Sequence, residues 1–122
     1  MKDSLKKFYE YLGSDEELMY YVRINVEWNE ELFSKMKQVV RAVIKDYEEE
    51  DYYPKRFIIY FMREIPSIIN ILSHFKKCTE KELLLDGYTD ETYLSMIAEK
   101  IEELKKLRWE FIKSLEADWL YR

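Results

Sequence analysis

Residues 54–77 read PKRFIIYFMREIPSIINILSHFKK, and the fold follows from this stretch. Ile58, Phe61, Ile65, Ile68, Leu72 and Phe75 recur at steps of three and four, the period of one helical face. Ile59, Met62 and Ile69 add a second apolar stripe, so the helix expected here touches several neighbours and stands at the centre. Pro54 suits its first turn, where a missing N–H costs nothing. Pro66 lies inside and should kink it, because the ring removes a donor and clashes with the preceding turn.

Upstream, Asn29 is a good N-cap for a helix whose Leu32, Met36, Val39 and Val43, flanked by Phe33, Val40, Ile44 and Tyr47, form one wide apolar stripe. Ser4 can cap a short first helix carrying Leu5, Phe8, Tyr9 and Leu12, with Gly13 as its left-handed end. Ser14 and Glu17 read as a capping box for a second short helix. Residues 24–28 alternate in a β-like period, and helix, strand and loop all stay open there. Downstream, Thr79 with Glu82 is another capping box, opening a short helix that stops at Gly87. Thr89 or Asp90 then starts a long helix with Leu94, Ile97, Ile101, Leu104, Phe111 and Leu115 facing the core. Glu102 and Lys106 are spaced as an outer i,i+4 pair.

Composition agrees with this pattern. The chain of 122 residues is 48% hydrophobic and 37% charged, with two glycines and two prolines, which excludes disordered and collagenous classes. Few breakers and many helix formers favour long helices over short strands. The expected architecture is all-α: a compact bundle with three long helices, about 30–49, 54–77 and 90–119, and two or three short ones, as one domain over 1–122. The longest apolar run, Phe57 to Met62, is far below the ~20 residues a membrane-spanning helix needs. A single Cys78 and a polar start without a signal-peptide pattern lead to a cytoplasmic reading. Abundant Lys, Ile, Glu and Tyr beside scarce Ala and Gly fit an AT-rich coding sequence, hence a bacterium or its phage. The opening, Ser4 to Leu18, resembles the start of Nif11-type leader peptides over a small part of the chain; the rest has no double-glycine processing site, and no residue role is carried over.

No catalytic set stands out. His74 is the only histidine, and neither Glu-x-x-His nor His-Glu-x-x-His is present. His74 and Cys78 share an i,i+4 spacing but lack a third orienting group, and Gly13 and Gly87 stand singly, so no phosphate-cradling loop forms. The chain therefore reads as a non-enzyme that needs no cofactor or metal.

Charge layout is more informative. Residues 1–34 hold four basic and eight acidic groups, residues 35–81 ten and seven, and residues 82–122 six and ten, within a net charge of −5. Lys37, Arg41 and Lys45 recur at i,i+4, a spacing that needs an anionic neighbour. On the central helix Arg56, Tyr60, Arg63, Ser67, Asn70, His74 and Lys77 line one polar stripe, able to grip phosphates or acidic side chains or merely to face solvent. Residues 46–53, DYEEEDYY, put five acids and three tyrosines between two helices. Acids there oppose the helix dipole, so local stability does not explain them. Glu48, Glu49, Glu50 and Asp51 with Tyr52 and Tyr53 could instead dock on a basic protein surface, carboxylates steering and rings supplying contact area. The alternative is a solvated turn with half-buried rings.

These features point to a protein-binding module, a small regulator or inhibitor of the antidote, immunity or anti-defence type acting by stoichiometric binding. The competing reading is a nucleic-acid-binding protein using the basic faces of the third and fourth helices, against which stands a pI near 5.1. A homo-oligomer through the long C-terminal helix, where Trp109, Trp119, Leu120 and Tyr121 cluster, is compatible with the first reading.

Overall fold

The computed structural model describes residues 1–75 and 87–120, apart from the side chains of Asp90 and of 116–120. Among them are five helices: α1 (Asp3–Leu12), α2 (Leu18–Asn25), α3 (Glu30–Tyr47), α4 and α5 (Asp90–Leu120). Helix α4 runs in three stretches, α-helical over Lys55–Ile59, a π turn over Tyr60–Glu64, and α-helical again over Ile65–Ser73. The architecture is the all-α bundle expected, with α3, α4 and α5 as its long members. No helix of the described residues is long and apolar enough to cross a membrane.

Helix α1 lies along α3, while α4 contacts α2 and α5. Ring contacts to α1 on one side and α5 on the other explain why two consecutive aromatics of α4 are both buried. Tyr60 meets Phe8 of α1 edge-on at 5.4 Å, and Phe61 stacks on Phe111 of α5 at 4.5 Å. Phe57 joins the two sides, 5.0 Å from Phe8 and 5.5 Å from Phe111. Geometries of this kind add about 0.5–1.5 kcal/mol per pair beyond burial.

The π turn is where α4 departs from a regular helix. Ile65 N–H reaches back five residues to the Tyr60 carbonyl. In that register the next donor would serve Phe61, but it is Pro66, which has no N–H. Arg108 of α5 takes its place, Nε donating to the Phe61 carbonyl at 3.3 Å. The proline's missing donor is thus replaced by a side chain of a different helix, which ties α5 to α4. Helix α4 ends at Ser73, short of 77. There Ser73 Oγ donates to the Asn70 carbonyl, and the His74 and Phe75 amides make i→i−3 bonds that tighten the last turn.

Several caps differ from the sequence reading. Glu17, rather than Ser14, caps α2, its carboxylate accepting from Met19 N–H, while Ser14 Oγ donates back to the Tyr11 carbonyl. Ser4 is buried inside α1, and Gly13 sits at φ −91°, outside the left-handed region. The left-handed end falls on Val26 (φ 52°), an unfavourable place for a β-branched residue. It resolves residues 24–28: α2 runs to Asn25, the chain turns, and Trp28 packs edge-on against Phe33 with its indole N–H on Glu30. Asn29 caps α3 as expected, accepting from Leu32 N–H, and Thr89 Oγ1 accepts from Thr92 N–H at the start of α5. On α5, Tyr93 and Leu107 are buried whereas Leu115 is exposed, and Glu102 pairs with Lys105 rather than Lys106.

Candidate functional site

The acidic stretch forms the corner between α3 and α4. Glu48, Glu49, Glu50 and Asp51 are all exposed, and Tyr52 is 65% exposed. Tyr47 and Tyr53, by contrast, belong to the core, which corrects the expectation that Tyr53 is a contact residue. Pro54 follows directly, and the Tyr53 ring stacks on Phe57 at 5.7 Å, meets Phe111 edge-on, and shares a 2.8 Å hydrogen bond with Ser114 Oγ. Lys2 clasps the corner from α1's start, donating to the Asp46 carbonyl and to Glu50 at 2.7 Å. Glu48, Glu49 and Asp51 make no ion pair among the described residues. The corner is therefore held firmly from beneath while its carboxylates and Tyr52 point outward.

The polar stripe of α4 divides. Arg56 and Arg63 are exposed, Tyr60 is buried, and Asn70 and His74 sit exposed at the helix end, with His74 Nδ1 2.7 Å from the Asn70 carbonyl. Lys77, Cys78 and the Thr79–Glu82 box lie outside the described residues, as do Tyr121 and the side chains of Trp119 and Leu120. Tyr60 leaves the stripe because α1 and α5 flank α4 on both sides. Its hydroxyl lies among Tyr11, Glu17 and Glu64, buried and without a hydrogen bond of ordinary geometry, and burial pushes its pKa well up.

Arg56 and Arg63 instead frame a cleft of about 350 Å³, with Leu12 and Ile59 as its apolar lining and Tyr60, Glu17 and Glu64 completing it. A second hollow, about 430 Å³, continues from it past Leu12, Glu17 and Glu64 toward Tyr20 and Arg23. Arg56 has no carboxylate partner among the described residues and lies over the Tyr9 ring at 4.9 Å. Among the described residues the Arg63 guanidinium pairs with its neighbour Glu64 alone, at 3.4 Å, with its side chain 74% exposed. Two guanidinium groups thus keep most of their donors for something else. Glu17, Glu64 and Leu12 were not marked as site residues by the sequence, since their approach to α4 depends on how the α1–α2 turn docks.

Burial raises the Glu17 pKa, the Glu64 charge adds to this, and the amides of Met19 and Tyr20 oppose it. A carboxyl whose pKa is higher folded than unfolded stabilises the fold fully below its unfolded value, and that contribution is lost as pH rises through the folded pKa. Glu17→Gln keeps an oxygen for Met19 N–H but cannot ionise. Its stability advantage over the wild type should therefore grow as pH rises from about 4.5, the ordinary value, toward neutrality, as read by urea melts across pH. A pH-independent difference between the two proteins would refute this account of Glu17.

On the basic face of α3, Arg41 alone meets a carboxylate among the described residues. Arg41 grips Glu110 of α5 with two bonds, 3.2 and 3.0 Å, and Lys35 pairs with Glu16. Lys37 lies over the Phe33 ring at 4.4 Å, and Lys45 is exposed. Across the bundle, Lys100 joins Glu30 and Glu103.

Fold and surface together define an all-helical bundle carrying an acidic corner and an arginine-framed cleft. No family model matches the chain, and neither a curated protein nor a solved structure matches it.

Proposed function

We propose that the chain is a non-catalytic protein-binding module, a small bacterial or phage regulator or inhibitor that acts by stoichiometric capture of a basic protein surface through its acidic corner. The observation that carries this reading is the division of labour at 46–53: Tyr47 and Tyr53 are buried and hold the turn, while the Tyr52 ring is exposed and Glu48, Glu49 and Asp51 are exposed and make no ion pair among the described residues. Carboxylates at a helix C-terminus work against the dipole, so their presence is accounted for by what they meet outside the fold. Anchoring of the turn by Tyr47, Tyr53 and Lys2 limits the entropy it loses on binding.

Reversing Glu48, Glu49 and Glu50 to Lys should abolish capture of the partner and leave Tm nearly unchanged. Among the described residues the one ion pair lost, Lys2 with Glu50, is exposed to solvent and screened by it. The measurement is a pull-down from bacterial lysate with and without nuclease, read by mass spectrometry, followed by affinity for the captured protein. Undiminished capture by a folded variant would remove the corner from the interface. The alternative, nucleic-acid binding through the basic faces of α3 and α4, gains less support, since the net charge is −5 and Arg41 already pairs with Glu110. Nuclease-sensitive, salt-sensitive recovery of nucleic acid would bring it forward.

A further inference from the structure

The cleft on α4 and the acidic corner have complementary chemistry. The cleft offers two guanidinium groups with free donors, an apolar lining from Leu12 and Ile59, and two carboxylates, Glu17 and Glu64. A tyrosine set among acids suits all three parts. Its ring fills apolar space, its hydroxyl donates to a carboxylate, and the flanking acids take the guanidinium groups, bidentate where geometry allows. Tyr52, exposed among Glu49, Glu50 and Asp51, is such a group on this chain itself.

We infer that the Arg56–Arg63 cleft receives the Tyr52 corner of a second copy of this chain. The two elements are neighbours in sequence, the corner ending at Tyr53 and the arginine-bearing helix starting at Lys55. Each copy therefore carries both halves, and exchange across a two-fold axis would use both halves of both copies. The dimer covers the surface assigned above to the protein partner, so self-association and capture compete. The inference shares that corner with the proposed function but does not depend on it, because it is tested on purified protein with no partner present.

The experiment is sedimentation velocity on the full chain over a concentration series, in low salt and in about 1 M salt, where the Debye length falls to about 3 Å. The wild type should show a concentration-dependent dimer that weakens in high salt. Arg56→Glu with Arg63→Glu should raise the dimer Kd at least about tenfold, and so should Glu48→Lys with Glu49→Lys. An equimolar mixture of the two double variants should restore a heterodimer, since each mismatched contact becomes matched. Circular dichroism melts check folding. If the glutamate variant is unfolded, Arg56→Gln with Arg63→Gln and the single Tyr52→Ala, which trims an exposed ring, serve instead. A chain that stays monomeric throughout overturns the inference, as does a dimer that both charge reversals leave unchanged, which would locate the contact elsewhere, for instance at exposed Trp109 of α5. A monomer that still captures a protein through the corner would refute self-association and leave the proposed function standing.

Discussion

Replacing Phe111 with Ala is expected to cost about 3–5 kcal/mol, a large share of the ~5–15 kcal/mol that stabilises a typical domain. Phe111 is fully buried and stands where three segments meet. It stacks on Phe61 at 4.5 Å, and the rings of Phe57 and Tyr53 approach it edge-on at 5.5 and 5.0 Å. Truncation removes the transfer energy of the ring and leaves a cavity among aromatic walls that cannot collapse without losing their own contacts. Because Tyr53 leans on Phe111, the acidic corner should loosen as well. Urea unfolding gives the first effect, and faster amide exchange across 46–53 gives the second. A loss below about 1.5 kcal/mol would mean that neighbours refill the site, and the corner would then have support other than this ring.

The second large effect should come from Arg108, where the prediction is a coupling rather than a single loss. Its Nε serves the carbonyl of buried Phe61, for which Pro66 has no N–H to offer. Arg108→Ala leaves that acceptor without a protein donor and should destabilise by about 1–3 kcal/mol. Pro66→Ala supplies a backbone N–H in the right place. In that background removing Arg108 should hurt less, giving an interaction energy of roughly 1 kcal/mol in a double-mutant cycle measured by urea unfolding. Strict additivity of the two substitutions would refute the idea that the arginine stands in for the proline's missing donor. A π turn held in this way matters to the cleft, since Tyr60, Arg63 and Glu64 all belong to it.

The cleft also illustrates why its members differ in how readily they are found. Arg56 and Arg63 announce themselves as charges on a greasy helix, and both line the site. Tyr60 carries the same spacing, yet it is buried, because periodicity reports which residues share a face of one helix and not how many neighbours that helix has. Glu17 reads as a capping residue and does cap α2, but its approach to Glu64 joins residues far apart in sequence. Tyr52 and Tyr53 are adjacent and chemically identical. Only the course of the chain from the turn at 48–51 into α4 and the position of Phe111 determine that one is exposed and the other belongs to the core.

The helical class, the three long helices and most of their inward faces are legible in the sequence. These depend on local propensity, capping and a period of 3.6, all of which act within a few residues. Tertiary structure decided what lies between the helices: the π turn whose proline is served by Arg108, the pairing of Arg41 with Glu110, the cleft that joins Glu17 to Arg56, and the outward turn of Tyr52. Each is a meeting of groups remote in the chain, and its geometry is set by packing, which no local pattern encodes.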